Sequence, residues 1–273
     1  MTGSPEQDIN RDEMPFVAPC RQLSPFAPFR WLKLGLTDLL KAPQQSLVYG
    51  LVLAVTIGIV SLLAWFRGSE WIMFSMIGGF VFLAPLSCIG LYAISAQIER
   101  GQEVNLVRSL RAALKRHFGN EMVFALVLLV VFLVWARAAI MVIAVLYPST
   151  GEAPLVDWIT FLGFGSMVGA VFAGVTFSAS AFSLPMIMHR DVDSITAIVT
   201  SINAVLRNKF AMVVWLAIIV AGLLIGLVTA FVGLIVIIPI IGFAVWHGYL
   251  ETIDADAFPR HAEGITATPR PDR

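Results

Sequence analysis

The chain has 273 residues, of which 58% are hydrophobic and 13% charged, and its mean hydropathy is +0.85. Soluble domains carry about 25% charged residues, so this composition excludes a water-soluble domain, a disordered chain and a fibrous one, and leaves the polytopic membrane class. Lys plus Arg and Asp plus Glu number 18 each, for a formal net charge of zero. The basic residues are scattered between apolar runs, so no face suits a nucleic acid.

Residues 1–28 are polar, proline-rich and acidic (Glu6, Asp8, Asp12, Glu13). They read as a disordered cytoplasmic tail without a cleavable signal peptide. A bilayer core about 30 Å thick takes about 20 apolar helical residues. Six segments qualify: 46–66, 71–98, 122–147, 155–188, 210–229 and 231–250. The fourth, at about 50 Å if straight, must tilt, kink at Pro185 or leave the bilayer at one end. The last two are joined at 230–233, which predicts a tight hairpin. Residues 254–273 read as a second disordered cytoplasmic tail, with the membrane domain over 29–253.

Three further stretches are too charged to span and too periodic to be loop. Over 29–42, Leu32, Leu36, Leu39 and Leu40 are apolar, and Lys33, Thr37 and Lys41 polar. Over 104–118, Leu106, Leu110, Ala113, Leu114 and Phe118 oppose Arg108, Arg111 and Lys115. Over 193–207, Ile195, Ile198, Val199, Ile202, Val205 and Leu206 share a face, with Asp193 as the N-cap. All three are expected to lie in the cytoplasmic interface plane.

Sixteen of the eighteen basic residues fall in 1–43, 97–121, 189–209 and 251–273. Only Arg67 lies in an opposite loop, and Arg137 lies inside a span. This asymmetry predicts that both termini are cytoplasmic. The strings starting at Gly35, Ser109 and Ser201 align without gaps: Leu36 with Leu110 and Ile202, Leu40 with Leu114 and Leu206, Lys41 with Lys115 and Arg207. Each precedes two spans, and the second span of each pair carries a proline: Pro85, Pro185 or Pro239. The expected fold is therefore an all-α polytopic membrane bundle of six transmembrane helices. They form three parallel repeats of interfacial helix plus two spans about a pseudo-threefold axis. That plan is shared with mitochondrial carriers, but no acid-then-base signature follows any of the three prolines.

Several residues carry a closer likeness. They are Trp31, Leu32, Gly35, Asp38, Leu39, Ser46, Tyr49 and Gly50 in 28–50. In the second span they are Pro85, Gly90, Leu91, Tyr92, Ser95, Glu99 and Gly101, and in the last Pro239, Gly242, Trp246, His247 and Tyr249. Together they resemble a bacterial family of integral membrane proteins defined only as a domain of unknown function. Phe243 stands where that family often has a histidine. The resemblance extends over about 25–255. It implies a membrane location and a six-helix plan, and brings no activity.

Arg137 lies 16 residues after Glu121 and 10 before Tyr147, roughly 15 Å from the nearer end of its span. An Arg at the bilayer centre costs on the order of 3 kcal/mol by insertion scales. It is expected to point into the bundle near Ser166, either as a structural donor to carbonyls and hydroxyls or in a polar cavity or anion site. His117, His189 and His247 fall near the cytoplasmic ends of spans, and His261 in the tail. A metal or haem would need them to converge. Separate, locally bonded histidines are expected, with no cofactor and no metal. Cys20 and Cys88 form no ligand motif. Gly165, Gly169 and Gly174 in the fourth segment, and Gly222 and Gly226 in the fifth, permit close helix approach. They would serve either packing inside the monomer or a seam with a partner. Pro85, Pro185, Pro239 and His247 are candidates for a cytoplasmic mouth.

No hydrolase, zinc-protease or P-loop motif is present. The expected role is non-enzymatic and accessory or scaffold-like, in contact with lipids, other membrane proteins or a second copy. The alternative is a small-solute transporter or channel with Arg137 in its pathway.

Overall fold

The computed structural model describes residues 15–67, 79, 82–104, 118–148 and 154–259. These are helical apart from connections and one isolated antiparallel bridge, Cys20 with Ile253. The helices are α1 (Ala27–Lys41), α2 (Pro43–Arg67), α3 (Ile89–Glu99) and α4 (Phe118–Leu146), then α5 (Leu155–Ser180), α6 (Ser183–His189), α7 (Ser194–Arg207), α8 (Lys209–Val228) and α9 (Leu234–Thr252).

Among the described residues five stretches are long and apolar enough to cross a membrane: Pro43–Leu63, Gly119–Leu146, Leu155–His189, Lys209–Val228 and Leu234–Thr252. The chain is a multi-pass integral membrane protein. Of the expected second span only Gly79 and the residues from 82 onward are described. A turn at 84–85 and a 3-10 turn, Leu86–Cys88, separate its end into α3. The expected interfacial helix over 104–118 lies outside the described residues except at its ends.

The prolines explain the breaks. Pro185 has no N–H and its ring excludes a regular carbonyl four residues back, and the helix is interrupted there, at 181–182, between α5 and α6. The Phe182 N–H left over at the break donates to Ser201 Oγ at 3.1 Å. Pro239 leaves the Ile235 carbonyl without its helical donor, while α9 continues unbroken. The backbone of α2 fills that notch: Gly50 faces Ile235 O so closely that any Cβ would collide with it. Between α8 and α9, Ala230 and Phe231 take positive φ (50° and 69°), and the Phe231 N–H caps Gly226 O at 2.7 Å.

α7 forms with the expected N-cap: both Asp193 carboxylate oxygens accept from Thr196 N. Its surroundings differ from the expectation of a membrane-facing helix. Ala197, Ile198, Ala204 and Val205 are buried inside the protein, against α5, α6 and α4, and Ile195 and Leu206 are left exposed. α1 likewise turns Trp31, Gly35, Asp38 and Leu39 onto the protein and leaves Leu36 and Leu40 outside. Gly35 lets α1 touch the α9 backbone, with Ile240 O 2.5 Å from its Cβ position. Trp31 is fully buried and stacks edge-on with Trp215 and Phe182.

Part of the expected tails is folded. Ala18 N donates to Thr200 Oγ1 at 3.1 Å and Leu23 N to Asn208 Oδ1 at 2.8 Å. The end of the chain returns beside it, with Asp254 N bonded to Pro19 O and Asp191 N to Pro259 O. Ala18, Ala255 and Phe258 are buried. Backbone donors, which hydropathy does not register, hold these segments on α7 and α6.

Candidate functional site

The apolar side of α1 carries one acid. Asp38 follows Trp31 by two helical turns, so it is buried with Trp31 where α1 crosses α3 and α9. An ionised carboxylate there needs donors, and Asp38 Oδ2 receives two: Ser95 Oγ from α3 at 2.6 Å and His247 Nε2 from α9 at 2.7 Å. A carboxylate oxygen only accepts, so the imidazole presents its Nε2–H. Lys41 Nζ stands 4.0 Å from Oδ1. Serine, histidine and aspartate are the residue types of a hydrolytic triad, but here hydroxyl and imidazole both address the same oxygen. The serine proton is directed at the Asp38 carboxylate and not at the imidazole, so the two donors stabilise a buried acid and the Ser–His contact of a triad is not made.

The same level of the bundle holds further pairs. Trp246 Nε1 donates to Glu99 Oε2 at 3.0 Å, and Trp31 Nε1 to Glu251 Oε2 at 2.9 Å. Arg30 caps Glu251 from outside through both Nε and Nη2. His189 Nδ1 lies 2.9 Å from Tyr249 OH, with Trp246 and Tyr249 packed around its ring. Arg190, also buried, donates to Phe258 O and to Asp256 Oδ1. These residues come from the C-terminal ends of α1, α3, α6 and α9, and from the start of α1. They form a polar layer at the end of the bundle that carries the basic residues. Tyr49 adds a strut, donating to Ser87 O at 2.8 Å while Gly90 N donates to its hydroxyl.

Of the candidate site residues read from sequence, His247 and His189 belong to this layer. Pro85 begins the turn before α3, Pro185 lies inside α6, and Pro239 packs on Gly50. These positions lie in one turn and two helices. Among the described residues no three His, Cys, Asp or Glu side chains gather as a metal site would need. His189 and His247 have separate partners, and His117 and His261 lie outside the described residues. Gly222 and Gly226 face Ile237, Ile241 and Leu234, so this pair is the α8–α9 seam. Gly165 meets Val142 of α4 at 3.7 Å, whereas Gly169 and Gly174 have open space around them.

Arg137 and Ser166 are both exposed, and Arg137 pairs with no described residue. Arg137 sits on the stripe Leu126, Leu129, Leu133 and Ile140, which α4 turns outward. Phe124 and Leu128 face the core on the opposite side, and Phe132 and Trp135 stack on Phe82 there.

Asp38, Ser95 and Glu99 carry the family likeness, and the structure adds the bonds they make. The available signal was an acid in register with Trp31 and Gly35 on an otherwise apolar helix face.

Residues 72–189 match the family described as "Predicted integral membrane protein (DUF2189)". That stretch contains the second of the three strings that carry the resemblance, with Ser95 and Glu99, and leaves out those with Asp38 and His247. No curated protein and no solved structure matches the chain.

Proposed function

We propose that this protein is a non-enzymatic accessory or scaffold-like protein of the bacterial cytoplasmic membrane, with both termini cytoplasmic, that works through lateral contact with other membrane proteins. The observation that carries the reading is a contrast between interior and exterior. Among the described residues the buried Asp38, His247, His189 and Arg190 each bond a neighbour inside the protein, while the buried Glu121 at the start of α4 keeps one oxygen without a partner. On the exterior, only 11% of the most apolar window of α4 and of α5 is buried, against 50% for α9. The α4–α5 hairpin thus offers its sides to whatever surrounds it. The transporter reading placed Arg137 in a pathway, and α4 carries that residue on its outer face.

Three units of one short amphipathic helix plus two spans remain our reading of the chain. Two observations support it. α1 and α7 end at aligned residues, Lys41 and Arg207, each with a new helix starting two residues on. The aligned Gly35 and Ser201 meet the same kind of neighbour. Gly35 rests on Ile240 O and Ala244 N, and Ser201 Oγ bonds Ser178 O and Phe182 N, in each case two backbone groups one helical turn apart.

The test is photocrosslinking in the native membrane. A photoreactive residue at Leu129 or Val171, on the outer faces of α4 and α5, should give defined adducts with other membrane proteins. Lipid adducts alone at every outward position, together with protein-dependent solute flux in proteoliposomes, would replace this reading by the transporter.

A further inference from the structure

Arg137 is a permanent cation, exposed at membrane depth and paired with no described residue. It lies nine residues before the end of α4 at Leu146, roughly 13 Å along the axis, too deep for its side chain to reach the headgroups fully. The stripe around it is apolar: Leu133 is 56% exposed and Ile140 57%. The core side of α4 is taken by the bundle, so the guanidinium cannot turn inward without crossing it.

We infer that Arg137 is the anchor of a docking surface for a transmembrane helix of another protein that carries an Asp or Glu near mid-membrane. This deepens the accessory reading above and rests on it. Charge complementarity selects the partner. In a dry interface a guanidinium and a carboxylate neutralise each other through paired, charge-assisted hydrogen bonds, and intramembrane charges characteristically pair this way. A second copy does not supply the acid. Among the described residues the exposed acid on α5 is Asp157, in that helix's first turn, and a side-by-side dimer would bring it near the membrane edge rather than to Arg137. A twofold contact along this stripe would set Arg137 against Arg137. Beside α4, Gly169 and Gly174 have no atom within 4 Å of their Cβ positions, so these two positions of α5 leave room beside the stripe.

The experiment uses the full chain in phosphatidylcholine vesicles and three donor-labelled synthetic Leu/Ala transmembrane peptides, with Glu, Gln or Leu at the central position. Energy transfer to labelled protein should show the Glu peptide associating about tenfold more tightly than the Leu peptide. That is about 1.4 kcal/mol, the upper range for an interhelical polar contact. Arg137→Leu should abolish the difference and Arg137→Lys should keep most of it. Equal association of the Glu and Leu peptides, or a preference that survives Arg137→Leu, overturns the inference. So does enrichment of labelled phosphatidylglycerol around wild type that Arg137→Leu removes, because the occupant is then a lipid phosphate. Self-association lost in Arg137→Leu overturns it in favour of a second copy. In native membranes, a photoreactive residue at Leu133 should capture a protein whose adduct disappears on neutralising its own mid-membrane acid. Protein adducts at Leu129 or Val171 with no dependence on Arg137 would sink this inference and leave the accessory reading standing.

Discussion

Replacing Asp38 by alanine removes one acceptor and strands two donors. Ser95 is fully buried and the His247 side chain is 17% exposed, so neither gains full access to water. A buried donor left unpaired costs about 1–3 kcal/mol, which sets the gross loss at about 2–6 kcal/mol. Relief of the carboxylate's own desolvation offsets part of this, and a net loss of about 2–4 kcal/mol is expected. Ser95→Ala strands nothing comparable, because His247 still donates to Oδ2, and should cost about 1 kcal/mol. Asp38→Asn falls between, since its amide oxygen accepts from both donors without the charge that strengthens those bonds, and its NH2 replaces the oxygen beside Lys41. The assay is thermal unfolding of each variant in one detergent, followed by Trp fluorescence. The ordering Asp38→Ala, Asp38→Asn, Ser95→Ala, from largest to smallest loss, is the specific expectation. An Asp38→Ala protein that melts with wild type, or a Ser95→Ala loss equal to it, would refute the claim that this carboxylate organises the layer.

Two other outcomes follow from the geometry. Gly50→Ala puts a methyl group against the Ile235 backbone, where no side chain can yield, and should cost 2 kcal/mol or more by roughly the scale of core overpacking. Gly169→Ala, with open space around it, should be neutral or slightly stabilising, and equal melting of the two variants would refute the proposed α2–α9 notch. Burial raises the Cys20 thiol above its ordinary value, against the lowering influences of Asn203 and Arg207. Cys20 should therefore alkylate more slowly at neutral pH than a cysteine placed at the exposed Ser24 in a Cys20→Ser background, with its rate climbing at higher pH. Equal rates at pH 7 would show that the segment around Cys20 is not held on α7.

Hydropathy and spacing by themselves determined the membrane class, the ends of α2, α4, α8 and α9 to within a few residues, the α8–α9 hairpin, and the helix over 193–207 with its Asp193 cap. These are consequences of local sequence: a run of apolar residues must be helical in lipid because no water satisfies its backbone, and a cap is a contact three residues long. Where each helix turns its faces was decided only by the tertiary structure. A leucine stripe has the same period whether lipid or protein covers it, so α7 reads as a membrane-surface helix although Ala197 and Ala204 are packed inside the protein. Asp38, Ser95 and His247 are separated by 57 and 152 residues along the chain, and no periodicity relates them. The crossing of α1 with α3 and α9, made possible by Gly35 lying on the α9 backbone, brings them to one point. Arg137 shows the converse. Its depth was plain from its place in the span, but only the packing of Phe124 and Leu128 fixed which way α4 turns, and that sends the charge outward.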